Sequence, residues 1–252
     1  MNWNRRLATI GLCLWLTSFS YAAWGFSFVV FGDNCDGDQV FQDMLNKIEH
    51  EGGDAFAVNC GDAVLSGKEG QYKQYLQMVK KFKVEIHQVP GNHDLMRGSA
   101  KYFIKYFGPL YYSFDYENSH FVVLNNAFAQ SFDAEQFAWL KKDLAANQKA
   151  HTFVFLHRPV FDPSEIYSGY VMSGRKVIEE LMALFKKHKV EYVFAGHIHG
   201  FSQTKRDGIN YIVTGGAGSP LRLPRELGGF YNYVRITVDG TKIKDEVKMI
   251  YE

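Results

Sequence analysis

The sequence predicts a mixed α/β domain in which two packed sheets carry helices on their outer sides. In the first third of the chain, short apolar runs alternate with helical periodicity, which indicates right-handed βαβ units and parallel strands. The polar residues closing those runs, Asp33, Asp62 and Asn92, stand 29 and 30 residues apart, and one βαβ step takes about 30 residues. Beyond position 110 the pattern turns to hairpins, which add antiparallel strands.

Residues 26–31 (FSFVVF) form an unbroken apolar run ended by Gly32-Asp33, as expected of a strand buried on both faces. Val40, Phe41, Met44, Leu45 and Ile48 recur at helical spacing; that helix starts near Asp36 or Asp38, either of which can cap it, and stops at Gly52-Gly53. Residues 55–59 read as a second strand, Tyr72 to Phe82 as a second helix, and residues 84–89 as a third strand ended by Pro90-Gly91. Residues 111–116 and 120–125 flank Glu117-Asn118-Ser119 as a hairpin. Asp133 with Gln136 resembles a capping box ahead of Phe137, Leu140 and Leu144. Strands follow at 151–156 and 191–195, separated by a helix through Val177, Leu181 and Phe185. The tail holds strands at 211–214, 231–238 and 242–250, with Asp239-Gly240 as a turn.

With 46% hydrophobic and 22% charged residues among 252, the chain is neither disordered nor fibrous. A net charge of +1 gives no global attraction to nucleic acid or an anionic membrane. Residues 1–22 read as a signal peptide: Arg5-Arg6, an apolar run over 7–19, then Ser20-Tyr21-Ala22 at the cleavage site. The run is short for a membrane span, which needs about 20 residues. The expected product is a secreted or periplasmic domain over 26–252 with no stable membrane insertion; an uncleaved N-terminal anchor is the alternative. Cleavage leaves a net charge of −1 and two cysteines, Cys35 and Cys60. In an oxidising compartment those two could pair.

Residues of metal-ligand type close nearly every expected strand: Asp33, Asp62, Asn92 with His93, His157, and His197 with His199. In open α/β sheets the carboxyl ends of the strands hold the ligand site, so residues distant in sequence converge there. In an extended segment, alternation places His197 and His199 on one side. Carboxylate, amide and imidazole together suit borderline divalent ions such as Mn, Fe or Zn. Each piece alone has a plain structural reading: Gly-Asp as a turn, His157 as a satisfied loop histidine. Their joint occurrence, in order and at strand ends, does not.

Asp33-Asn34-Cys35, Gly61-Asp62, Gly91-Asn92-His93-Asp94, His157 and Gly196-His197-Ile198-His199 resemble the motif series of the calcineurin-like metallophosphoesterase family. The resemblance implies a four-layer α/β/β/α sandwich and a dinuclear site at the strand ends. It implies that Asp33 and His199 bind a first divalent ion, that Asp62 bridges two, and that Asn92, His157 and His197 complete the second. His93 is then the catalytic imidazole near the leaving group, and Asp94 orients its loop. The implied reaction is hydrolysis of phosphomonoesters or phosphodiesters by a metal-bridging hydroxide, without a covalent intermediate. Cys35 departs from the pattern, which usually has His there. It is either a soft thiolate ligand favouring Zn or not a ligand at all. Loop arginines are candidates for phosphate contact: Arg97, Arg158, Arg222 and Arg225. Tyr167 and Tyr170 either stack on an aryl group or cover the core. His50, His87, His120, His151 and His188 are expected in structural or surface roles.

Two readings compete with an exported phosphoesterase. One is a non-catalytic or weakly active metal- or phosphate-binding member with an altered first metal site; the retained His93 argues against it. The other is a redox sensor built on Cys35.

Overall fold

β1 (Gly25–Phe31) is apolar on both faces, and Phe28, Val29, Val30 and Phe31 are all buried, which fixes it inside a sheet. The computed structural model describes residues 25–128 and 132–251. The signal peptide expected over 1–22 lies outside the described residues. From β1 the chain continues through α1 (Asp38–Glu51), β2 (Asp54–Asn59), α2 (Glu69–Val79), β3 (Glu85–Gln88) and α3 (Ala100–Phe107). Then come β4 (Tyr112–Tyr116), β5 (Ser119–Val123), α4 (Ala134–Ala146), β6 (His151–Phe155), α5 (Arg175–Lys187) and β7 (Tyr192–Ala195). β8 (Phe201–Arg206), β9 (Ile209–Thr214), β10 (Asn232–Asp239) and β11 (Lys242–Met249) complete the series.

One sheet has the order β11-β10-β1-β2-β3, parallel across β1-β2-β3 and antiparallel at β10 and β11. The other has the order β4-β5-β6-β7-β9-β8, parallel from β5 to β9 with antiparallel edges. The expected mixed two-sheet architecture is therefore present. Between the sheets lies an aromatic layer of Phe28, Phe56, Phe121, Phe153, Phe155 and Phe194. On one outer face, Phe41, Met44 and Ile48 of α1, Tyr72 and Tyr75 of α2 and Phe103 of α3 cover Val29, Phe31 and Ala57. On the other, Leu140 and Leu144 of α4 and Leu181 and Phe185 of α5 cover Val122, Val154 and Val193. Helix, sheet, sheet and helix give four layers.

Two elements escape the hydrophobic pattern. β8 is an edge strand whose Gln203, Thr204, Lys205 and Arg206 carry no apolar alternation. α3 is only eight residues long, and the sequence reading places no element there. Neither Asp36 nor Asp38 caps α1: the N-cap is Gly37, and the Asp38 carboxylate instead accepts from Gln74 Nε2 at 2.7 Å. The Asp133 cap of α4 forms as expected, accepting from the Gln136 backbone N–H at 2.8 Å. His120, on β5, bridges Asp115 of β4 at 2.7 Å and Asp143 of α4 at 2.9 Å.

Phe121 stands at the centre of the aromatic layer, with Phe26, Phe28, Phe56, Phe114, Phe153 and Phe155 as ring neighbours. Phe121→Ala is expected to lower stability by about 3–5 kcal/mol, measured by denaturant unfolding. A loss below about 1 kcal/mol would mean that the layer collapses around the gap. The His120 bridge sets a pH dependence. Burial disfavours its cation, but the hydrogen bonds to Asp143 and Asp115 outweigh this and raise its pKa above the ordinary 6.5. A raised folded-state pKa contributes stability in full below the unfolded value and loses it as pH rises through the folded one. The melting temperature should therefore fall above about pH 6.5, and His120→Gln should flatten that fall; identical profiles would remove His120 as its source.

Candidate metal centre

The parallel strands of both sheets deliver their polar end residues to one place. Asp33 follows β1, Asp62 follows β2, Asn92 and His93 follow β3, His157 follows β6, and His197 with His199 follow β7. Backbone hydrogen bonds interlock the loops: Asp33 N–H donates to the Gly61 carbonyl at 2.9 Å, Gly196 N–H to that of His157 at 3.0 Å, and Ser219 N–H to that of Asp33 at 2.8 Å. Asp33, Asp62 and His197 hold left-handed backbone (φ 63°, 57° and 68°). Such conformations cost non-glycine residues energy and concentrate at functional sites. The 196–199 segment is thus a turn, closed by Ile198 N–H to the Gly196 carbonyl, and not the extended stretch expected from alternation.

Asp62, His157 and His197 bring ligand atoms within 4.8 Å of one another. His157 Nε2 is 3.4 Å from Asp62 Oδ2, 3.0 Å from Asn92 Oδ1 and 3.1 Å from His197 Nδ1. Beside them, His199 Nε2 lies 3.6 Å from Asp33 Oδ1. The other ring nitrogens are held from behind, His157 Nδ1 by the Cys60 carbonyl at 2.9 Å and His199 Nδ1 by that of Pro220 at 2.8 Å. This second contact orients an imidazole as metal sites require. His93 takes a different position. Its Nδ1 is 2.6 Å from the Leu65 carbonyl, and its Nε2 is 4.0 Å from Asp62 Oδ2.

Asp94 ties the site together. Its carboxylate accepts from the backbone N–H groups of Asp62 (2.9 Å), Val64 (3.0 Å) and Gly91 (2.8 Å). The loops after β2 and β3 are thereby locked to each other. Gly91 is required where they touch, since a Cβ there would sit 2.1 Å from Asp62 Oδ1.

Electrostatics explain what the cluster needs. Asp33 Oδ1 and Asp62 Oδ2 are buried and have no hydrogen-bond partner, a costly state for a carboxylate. Burial raises the Asp33 pKa to about 8, against the pull of His157. At Asp62 the same burial is outweighed by the charge of His157, and the value falls to about 2. His157 rises to about 9 because the Asp62 carboxylate overrides its burial. Burial drives His199 down to about 4 and, with the His157 charge, His197 to about 2. Carboxylates lacking partners, facing the neutral imidazoles of His197 and His199 and a His157 proton that a metal would displace, form a donor set that fits divalent cations.

Among the arginines, Arg158 reaches the cluster, its Nη2 3.4 Å from Asn92 Oδ1 and its Nε donating to the Ala127 carbonyl at 2.9 Å. Arg222 lies at the rim against Tyr170, whose ring centroid is 5.6 Å from that of His197. Arg97 and Arg225 stand on exposed turns, and among the described residues neither bonds to the cluster. Cys35 has left-handed backbone (φ 38°), and its Sγ lies 3.9 Å from the Val64 carbonyl. Cys35 and Cys60 are both free, so the disulfide considered from the sequence is not formed. The turn at Asp33–Cys35 points the thiol away from the extended-chain position, and Cys60 is buried in the inter-sheet layer. Asn126, passed over in the sequence, accepts from the backbone N–H groups of His157 and Arg158 at 3.0 Å each. Its signal was the one used elsewhere, an amide at the end of a strand.

Comparison with known proteins places this site in context. The family model for calcineurin-like phosphoesterases matches residues 26–201. The chain is 36% identical over 100 residues to purple acid phosphatase 22 of Arabidopsis thaliana, covering 38% of this chain and 22% of that protein. It is 28% identical over 222 residues to the rat serine/threonine-protein phosphatase CPPED1, covering 75% and 70% of the two chains. The match thus spans less than a quarter of the plant relative's length. In structure it is similar to the purple acid phosphatase PPD1 of yellow lupin (Lupinus luteus), with a TM-score of 0.77 at 16% identity over 90% of this chain and 52% of that one.

Asp94→Ala removes the acceptor for three N–H groups and should weaken metal uptake about 10- to 100-fold, as outer partners of metal ligands typically do. Equilibrium dialysis with Mn or Zn reads the affinity, and circular dichroism separates it from unfolding. Unchanged affinity in a folded variant would show that the loops hold without the carboxylate.

Proposed function

The chain belongs to the calcineurin-like phosphoesterase family, and from that membership we propose that it is an exported, metal-dependent hydrolase of phosphate esters. One observation carries the reading: two buried carboxylates with unpaired oxygens face three imidazoles and an amide where the strands of both sheets end. Asp33 and His199 would hold one ion, Asn92, His157 and His197 the other, and Asp62 would be shared. When bound, the two ions supply the positive charge that draws in phosphoryl oxygens and acidifies a water for attack on phosphorus.

The remaining work belongs to side chains. Arg158, half-buried and reaching Asn92, directs its fork at the phosphoryl oxygens. As an imidazolium, His93 donates its Nδ1 proton to the Leu65 carbonyl and keeps its Nε2 proton for the departing alkoxide. A protein that merely bound metal would have no use for that imidazole. No side-chain nucleophile is needed, and burial, with the charge of Asp62, pushes the Cys35 thiol well above its ordinary range. The basic N-terminus and apolar run over 1–22 support export. No helix among the described residues is long and apolar enough to cross a membrane.

Elemental analysis followed by assay on aryl phosphomonoesters and bis-aryl phosphodiesters tests the reading. Metal-loaded protein should hydrolyse at least one class, and a chelator should abolish turnover until metal is returned. Full activity after verified metal removal would overturn it. His93→Ala should lower kcat on an alkyl phosphate by about 10²–10⁴-fold with metal content unchanged. The deficit should shrink for nitrophenyl phosphate, whose leaving group is already a weak base. Equal losses on both would remove the proton-donor role.

A further inference from the structure

One arginine at the rim is held in a way that solvation alone does not require. The Arg222 guanidinium carbon sits 4.7 Å from the centre of the Tyr170 ring, and its Nη1 donates to the Tyr170 hydroxyl at 3.1 Å. Its main chain is fixed at both ends: the N–H donates to the His199 carbonyl at 2.9 Å, and the carbonyl accepts from the Tyr167 hydroxyl at 2.7 Å. Tyr167 meets Tyr170 edge to face, centroids 5.6 Å apart and planes at 89°. Tyr170 lies equally close to His197, at 5.6 Å. Two tyrosines and the His199 turn therefore hold an exposed cation next to the metal-ligand cluster. One face of the Tyr170 ring is covered by the guanidinium, so the surface offered outward is the cation itself and not a stacking platform.

Arg158 already occupies the inner position, beside Asn92. Arg222 is anchored elsewhere, on the His199 turn and the Tyr170 ring, and makes no hydrogen bond to Asn92 among the described residues. A guanidinium fork with donors to spare recognises carboxylate or phosphate oxygens. Its side-chain entropy has been given up before any ligand arrives, which favours affinity.

We propose that Arg222, positioned by Tyr170 and Tyr167, selects substrates that carry a second anionic group beyond the phosphoryl group undergoing hydrolysis. This rests on the phosphoesterase reading for the inner site and adds a charge requirement at the rim. The preferred esters carry a carboxylate or further phosphate on the leaving group; neutral leaving groups give the guanidinium no anion to meet. Arg222 acts in recognition and does not touch the reacting atoms.

Binding of two inert probes to metal-loaded protein tests this without relying on turnover: phenylphosphonate and 4-phosphonobenzoate, which differ by one carboxylate. Calorimetry on the wild type should show 4-phosphonobenzoate binding about 10-fold or more tighter, the scale of one charge-assisted hydrogen bond. In Arg222→Gln that ratio should fall towards one. Tyr170→Phe keeps the ring and loses the hydroxyl, and should leave an intermediate ratio. Lys205→Gln, on the exposed outer strand β8, removes the same charge elsewhere and should leave the ratio intact. A wild-type ratio near one, or a ratio preserved in Arg222→Gln, overturns the proposal. A failed hydrolysis assay accompanied by an Arg222-dependent ratio would instead count against the phosphoesterase reading alone.

Discussion

Asp33 and Asp62 are buried together, and each leaves an oxygen without a hydrogen-bond donor. Two unscreened carboxylates in a low-dielectric interior repel each other and their surroundings alike. The chain answers with His157, whose charge the Asp62 carboxylate stabilises against its own burial. That compensation is partial, since Asp33 is still driven towards its neutral form. Much of the architecture serves to keep this unsatisfied arrangement from relaxing. The Asp94 carboxylate binds three backbone N–H groups, the strand-end loops bond to one another, and left-handed backbone at Asp33, Asp62 and His197 holds those side chains in the cluster.

The two sheets share the task. β1, β2 and β3 bring the carboxylates, Asn92 and His93; β6 and β7 bring His157, His197 and His199. The site exists only while the sheets keep their separation and angle, and the aromatic layer between them sets both. Stacked pairs such as Phe28–Phe56 and Phe121–Phe153, with centroids 5.1 Å apart, fill it without polar atoms. Packing far from the cluster thereby controls its geometry. At the rim, the segment with Tyr167 and Tyr170 and the loop with Arg222 are joined to each other and to the His199 turn, so the outer wall is as ordered as the floor.

Legibility followed the strength of the local signal. β1, β2, β6 and β7 were readable because strands buried in a parallel sheet are unbroken apolar runs, and α1 and α5 because their buried faces recur at helical period. β8 was not, because an edge strand exposed to solvent keeps no alternation. The capping of α4 was local and visible, whereas at α1 the cap position falls on Gly37 and Asp38, already inside the helix, accepts from Gln74. Asp33, Asp62, Asn92, His157, His197 and His199 could be grouped before any coordinates, since the end of a parallel strand fixes where a residue goes, whatever its neighbours do.

The sequence by itself determined the class of fold, the edge at which the chemistry gathers and the donor types collected there, because these depend on hydrophobic period and on which residue ends each strand. Tertiary structure alone decided how the donors are aimed. Left-handed backbone at Asp33, Cys35 and His197 broke the extended geometry that alternation implies, separated Cys35 from Cys60, and turned the thiol towards the Val64 carbonyl. It also sorted four chemically identical arginines, sending Arg158 to the floor, Arg222 to the rim, and Arg97 and Arg225 to exposed turns. The physical reason is range. Burial and periodicity act over a few residues and are written locally, while the position of a side chain in a site depends on loops meeting from opposite ends of the chain.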